Sequence, residues 1–284
     1  MKVVITGAGG LVGGRLARRL KAEHEVLAPP RAELDVTDAG AVRRFIKEAR
    51  PRLVVNCAVL GVDECERDPE LARAVNAEAA RSLAAAASDA GAEFLHFSTN
   101  YVFDGEGREP YCERDEPRPV NVYGRTKEEG ERATFEANPR SYVVRTSWVF
   151  GAGKESFLST AHRELAAGRR VRAIGDTWAS VTYVEDLVVR VEEVVRSNRH
   201  GLYHVVNEGV CTYEDFAREA ARLAGLNEEE SARLVETVTE SQVQRPARRP
   251  RYTPLRCLAS AELGLPPLRH WREALADFVA GARP

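Results

Sequence analysis

The chain has 284 residues, with 41 basic against 43 acidic side chains and a formal charge of −2, too balanced for a dedicated nucleic-acid binder, which needs a strongly basic face. Hydrophobic residues at 44% and charged residues at 30% exclude a disordered chain, and the length suits two domains or one large α/β unit. No apolar run approaches the ~18 residues of a bilayer span, and residues 1–6 enter a strand pattern with no signal-peptide n-region. A cytoplasmic location is therefore expected, without membrane or nucleic-acid partners.

Residues 2–6 (KVVIT) are a β-branched run followed by glycines, and residues 11–20 carry apolar positions at helical spacing, so strand, Gly-rich turn and helix are predicted. Residues 26–28 read as a second strand, 39–49 as a helix and 53–56 as a third strand. A long Ala-rich helix is expected over 69–90, a fourth strand over 93–98, a loop through Gly105 to Pro119, a helix over 120–136 and a strand over 142–147. Strands alternating with helices imply right-handed βαβ units and a doubly wound, parallel α/β sheet of the Rossmann kind. Residues 1–150 are expected to form the dinucleotide-binding domain, with segments near 184–206 returning to it and 151–284 forming a smaller, less regular substrate domain. Helices are expected near 155–167 and 184–196, a strand at 201–206, and a helix opened by a capping box of Thr212 with Asp215. The stretch 245–255 is too proline-rich for a continuous helix.

The five cysteines, Cys57, Cys65, Cys112, Cys211 and Cys257, are odd in number and lack C-x-x-C spacing, and the six histidines are scattered. Reduced, structural thiols are expected, and no metal site.

Gly7, Gly10 and Gly13 stand between the first strand and first helix. That placement serves a tight turn, close approach of the backbone to a pyrophosphate, and a helix N-terminus offering free N–H groups to it. Dinucleotide binding is the reading. Where NAD sites usually hold an acidic residue at the end of strand two, this chain has Ala28-Pro29-Pro30-Arg31, and Arg31 is placed to pair with a 2′-phosphate. NADPH is expected over NADH, which stays possible.

Tyr123 and Lys127 form Y-x-x-x-K, one turn apart on a single helix face. A phenol is a poor acid–base catalyst at neutral pH unless a nearby ammonium favours its ionised form. Only five of the 41 basic residues are lysines, and Lys127 is the sole one between Lys47 and Lys154. Ser98 and Thr99 end strand four, at the carboxyl edge where such sheets bind ligands, and either hydroxyl is placed to donate to a substrate carbonyl.

These stretches, with TGAGGLVG (6–13), ELDVTD (33–38), residues 56–84, FSTNYVFDG (97–105), NVYGRTKEEGE (121–131) and VRTSWVFG (144–151), resemble the extended short-chain dehydrogenase/reductases, and within them the dTDP-4-dehydrorhamnose reductase family. The resemblance implies that Thr99, Tyr123 and Lys127 form a catalytic triad that reduces a 4-keto-6-deoxy nucleotide sugar with NADPH. It implies a cofactor site formed by Gly7, Gly10, Leu11, Val12, Gly13, Arg31, Asp35, Val36, Cys57, Ala58, Asn76, Ser98, Tyr123 and Lys127, with Asp35 and Val36 beside the adenine. Asn100, Tyr101, Trp148 and Arg249 are implied at the substrate, and a homodimer is implied by relatives. Arg245, Arg248, Arg249 and Arg251 form a basic segment that suits a diphosphate. Three positions depart from the family pattern: Asn100 replaces an Asp, Thr253 replaces a Ser, and Ala179-Ser180-Val181-Thr182 lacks the Gly and Pro of G-x-P-T. Another nucleotide-sugar reductase or epimerase shares the pattern, as does a non-catalytic regulatory subunit like that of methionine adenosyltransferase. Substrate-dependent NADPH oxidation separates an enzyme from the last.

Overall fold

In Lys2–Thr6 every residue from Val3 onward is buried, as a strand covered on both faces requires; it is β1 of the computed structural model, which describes residues 1–281. There follow α1 (Leu11–Leu20), β2 (Glu25–Leu27), α2 (Ala39–Ala49), β3 (Leu53–Asn56), α3 (Val62–Arg67) and α4 (Pro69–Arg73). A π-turn, Ala74–Glu78, leads into α5 (Ala79–Asp89), then β4 (Glu93–Thr99), α6 (Val122–Ala137) and β5 (Ser141–Thr146). Next come β6 (Val149–Phe150), α7 (Phe157–Ala166), β7 (Val171–Ile174), β8 (Trp178–Ala179), β9 (Thr182–Tyr183), α8 (Val184–Arg196) and β10 (Gly201–His204). The chain ends in α9 (Tyr213–Leu223), α10 (Glu228–Leu234), β11 (Val235–Val238), β12 (Tyr252–Thr253), α11 (Leu258–Glu262) and α12 (Trp271–Gly281).

Six parallel strands form one sheet in the order β2–β1–β3–β4–β5–β10. Period-two alternation divides each strand between two cores. Val3, Ile5, Val55, Leu95 and Val144 pack with Leu16 and Leu20 of α1 and Val188 and Val191 of α8. Val4, Val54 and Phe94 face the other way, onto Val42 and Ile46 of α2 and Leu83 and Ala87 of α5. From β1 the chain runs to β2 on one side and then to β3 on the other, so the switch point of the sheet lies between β1 and β3, where a crevice opens at the strand ends. α8 and β10 return to this sheet from beyond residue 180.

Two expectations change. The helix over 69–90 is broken by the π-turn, which turns the Asn76 side chain inward to bond Leu60 and Thr126. After β5 the chain is more regular than its sequence suggests. Two-stranded ladders β7–β11, β8–β12 and β6–β9, with α7, α9, α10 and α12, enclose a second core around Phe150, Leu165, Phe216 and Trp271. The capping box is present: Thr212 Oγ1 accepts from Asp215 N while Asp215 accepts from Thr212 N, each at 2.9 Å. Thr212→Ala is expected to cost about 1 kcal/mol in denaturant unfolding; a loss below a few tenths would mean the cap contributes nothing. Among the described residues, no helix is long and apolar enough to cross a membrane.

Candidate active site

A cleft of about 550 Å³ lies at the carboxyl ends of β1, β3, β4 and β5. Its floor is the turn Gly7 to Gly13, whose backbone the sequence keeps bare. Gly7 has φ +70°, and a Cβ there would stand 2.5 Å from Ala58 N; one on Gly13 would stand 2.5 Å from the Gly7 carbonyl oxygen. Gly10 is the N-cap of α1 with no side-chain cap, and no acidic residue occupies the first turn. The positive end of that helix therefore faces the cleft unopposed, an arrangement that fits a dinucleotide pyrophosphate. Leu11, Val12, Cys57 and Ala58 line the same floor.

Other cofactor candidates lie elsewhere. Arg31 and Asp35 pair with each other at 3.3 Å on the exposed rim beyond β2 and do not line the cleft. Hydrogen bonds from the Thr37 N–H and hydroxyl hold the Asp35 carboxyl below its ordinary range. An exposed pair of this kind contributes little, which leaves the Arg31 fork available to another anion. Val36 packs half-buried on the α2 and α5 core. Asn76 is wholly buried and bonds Leu60, Cys65 and Thr126, so it shapes the wall behind Tyr123 and is not part of the cleft surface. No group of three or more His, Cys, Asp or Glu side chains among the described residues is placed to hold a metal ion.

Thr99, Tyr123 and Lys127 meet at the cleft. α6 is started by Asn121, whose side chain accepts from Gly124 N at 2.7 Å, and Glu66 of α3 accepts the Val122 N–H at 2.7 Å. Burial raises the Tyr123 phenol to about 12, against the opposing pull of the Thr99 hydroxyl beside it. Tyr101 meets Tyr123 edge to face at 6.0 Å. Lys127 is 2% exposed, and its Nζ lies 2.9 Å from His96 Nε2. Burial pulls its pKa down to about 8. The sequence suggests an ammonium acting on the phenol; in the structure the Lys127 side chain runs to His96.

Ser98 and Thr99 face different tasks. Ser98 lines the cleft but gives its hydroxyl proton to Glu131, and Glu131 takes a two-pronged bond from Arg145 at 2.8 and 2.6 Å. Thr99 Oγ1 accepts the Tyr101 N–H at 3.1 Å and donates its own proton to Asn100 Oδ1 at 3.2 Å, a long bond that a bound oxygen could replace. Two departures from the family pattern prove to be partners: Asn100 Nδ2 donates to Thr253 Oγ1 at 2.7 Å. The other departure, Ala179 to Thr182, is buried, and Ser180 Oγ accepts from Leu255 N at 3.1 Å.

Trp148 lines the cleft with a positive φ of 39° and stacks on Tyr213 at 3.9 Å. Arg249 lines it too, in a bidentate pair with Asp63 at 2.9 and 2.8 Å that holds the Asp63 carboxyl below its ordinary range. Arg245 joins the lining, whereas Arg248 reaches out to Glu106, and Arg251 lies over Trp178. The basic segment thus divides, two arginines facing the cleft and two facing away. Sequence reasoning missed Tyr213, although the capping box at Thr212 fixed the start of its helix, and it missed His96, which no motif marks.

The chain is similar along its length to known proteins. Residues 1–283 match the family described as RmlD substrate binding domain. The chain is 43% identical over 284 residues to a dTDP-4-dehydrorhamnose reductase of Mycolicibacterium smegmatis, an alignment covering 98% of this chain and 85% of that protein. Among solved structures it is similar to a dTDP-4-dehydrorhamnose reductase from Clostridium acetobutylicum, with TM-score 0.91, 36% identity and 99% of each chain covered. It is also similar to one from Bacillus anthracis in complex with NADP, with TM-score 0.92, 31% identity and 99% of each chain covered.

Proposed function

The chain belongs to the RmlD substrate binding domain family, and from that premise we propose that it uses NADPH to reduce the 4-keto group of dTDP-4-dehydro-6-deoxy-L-mannose, giving dTDP-L-rhamnose. The observation that carries this reading is the meeting of Thr99, Tyr123 and Lys127 in one cleft with the bare glycine turn of α1. The turn fits a dinucleotide because Gly7 and Gly13 let it close against the backbone of Cys57, Ala58 and Gly7 itself, and Gly10 leaves the N-terminus of α1 uncapped at the cleft. Gly7, Gly10, Leu11, Val12 and Gly13 would hold its pyrophosphate, Cys57 and Ala58 the wall beside it, and Arg31 a 2′-phosphate. When bound, the dinucleotide supplies a hydride for the ketone carbon.

The remaining work falls to this chain. Tyr123 gives its proton to the ketone oxygen as negative charge builds there, and Thr99 donates a second hydrogen bond to the same atom. Both contacts strengthen as the alkoxide forms, so they act on the transition state more than on the bound ketone. The Lys127 ammonium offsets the charge left on the tyrosinate. Tyr101 and Trp148 would cover the sugar ring, Asn100 would orient it through its tie to Thr253, and Arg245 and Arg249 would face the diphosphate. In this reading residues 1–150 with 184–206 bind the dinucleotide and 151–284 mainly hold the substrate.

The test is to mix the protein with NADPH and dTDP-4-dehydro-L-rhamnose and follow the absorbance of the reduced nicotinamide. One NADPH is expected to be consumed per ketone, and binding of NADPH without substrate-dependent consumption would refute the assignment. The Michaelis constant is expected to be lower for NADPH than for NADH, and the reverse order would remove the role given to Arg31. The same reading places the protein in the cytoplasm, which five unpaired cysteines suit. It also makes the protein a homodimer, an assignment that a monomer's mass by light scattering would overturn.

A further inference from the structure

His96 is a wholly buried imidazole on β4 whose two nitrogens are both engaged: Nδ1 lies 3.1 Å from Asn56 Nδ2 and Nε2 lies 2.9 Å from Lys127 Nζ. Which partner donates is decided two residues away. The Ala58 backbone N–H, a donor only, points at Asn56 Oδ1 at 3.1 Å, and Thr6 Oγ1 donates to the same oxygen at 2.8 Å. Turning the Asn56 amide over would set its NH₂ against the Ala58 N–H. The amide nitrogen therefore faces His96, and Nδ1 must accept. A neutral imidazole that accepts at Nδ1 carries its hydrogen on Nε2, and that hydrogen points at Lys127. An ammonium has no lone pair to receive it; a neutral amine does.

We propose that Asn56 and His96 are positioning residues that lock the imidazole as its Nε2–H tautomer, so that Lys127 rests on His96 only as a neutral amine and must leave that contact to carry its proton. Lys127 then has two stations. One is deprotonated, beneath the strand ends on His96. The other is protonated, turned toward the cleft and Tyr123. Uptake and release of the proton are coupled to the move.

The groups around Lys127 agree. From β3 and α3, the Cys57 and Cys65 thiols are pushed up by burial to about 12 and about 11 and so bring no negative charge. Glu131, on the same helix, favours the ammonium, but its carboxylate is already held by Arg145 and Ser98. Burial alone holds His96 below its ordinary range, so the ring stays neutral. Burial is the largest influence drawing the lysine down.

The role this gives Lys127 rests on the proposed reduction, whereas the tautomer does not, so the two fail separately. With only Lys2, Lys21, Lys47, Lys127 and Lys154 in the chain, ¹³Cε labelling of lysine gives a spectrum of five signals. Lys127 is expected to titrate at least two pH units below the ordinary lysine value. ¹⁵N spectra of the unaltered protein are expected to show His96 with hydrogen on Nε2 and none on Nδ1. Asn56→Asp supplies an acceptor in place of the NH₂, turns the tautomer to Nδ1–H, and frees Nε2 to accept from an ammonium. The Lys127 midpoint should then rise by at least one unit. In a His96→Phe background the same aspartate acts through its charge alone, and the rise should shrink by half or more. An Nδ1–H tautomer in the unaltered protein, a Lys127 that titrates at the ordinary lysine value, or an equal rise with and without the imidazole would each overturn the proposal. Should neither variant fold, the two measurements on the unaltered protein decide it.

Discussion

Tyr123→Phe is expected to lower turnover by about 10²- to 10⁴-fold, the range over which a positioned general acid contributes. The ring stays, and with it the edge-to-face contact with Tyr101 at 6.0 Å, so the cleft keeps its shape and NADPH affinity should change little. What goes is the proton that the proposed mechanism transfers to the ketone oxygen. Burial holds that phenol at about 12, so it remains protonated across the working range and no loss of activity from its own titration is expected. The limiting group is Lys127, lowered by burial from 10.5 to about 8. Its ammonium is present below that value and is lost as the pH rises through it, so kcat/KM should fall above pH about 8. Turnover that survives Tyr123→Phe within tenfold, or a profile flat from pH 7 to 10, contradicts the assignment of acid and cation.

Those two residues were legible because their signal is local. Y-x-x-x-K fixes a shared helix face whatever the rest of the chain does, and a glycine run between a β-branched strand and an amphipathic helix names its own turn. Local signals do not say where a long side chain ends. Lys127 has the right spacing to Tyr123 yet runs to His96, a partner 31 residues away chosen by the packing of α6 on β4. Asn76 reads as a cleft residue by resemblance but is turned inward by a π-turn that no composition rule marks. Arg245, Arg248, Arg249 and Arg251 are alike in sequence, and they part because Asp63 holds Arg249 and Glu240 holds Arg245 at the cleft, while Glu106 draws Arg248 outward and Arg251 lies over Trp178. After β5 the strands are two to four residues long and owe their existence to partners far off in sequence, such as β7 with β11, so periodicity alone left that region irregular.

Breaking the Arg145–Glu131 pair is expected to be the costliest change to stability. Both side chains are almost fully covered, at 3% and 7% exposed, and they join β5 to the helix bearing Tyr123 and Lys127. Ser98 adds a third contact from β4, and the Arg145 guanidinium lies 5.1 Å from the Phe103 ring centroid. Removing either partner leaves a charge in the interior without its counter-ion, so Glu131→Gln and Arg145→Met should each lose ~3–5 kcal/mol in denaturant unfolding. The double change, Glu131→Gln with Arg145→Met, leaves no stranded charge and should lose far less than the sum, because desolvation of two ions is avoided along with their attraction. The cost should also reach the active site, since α6 would lose its tie to the sheet at the level of the catalytic turn. Single variants within about 1 kcal/mol of the unaltered protein, or losses that add in the double variant, would show that this pair does not hold α6 in place.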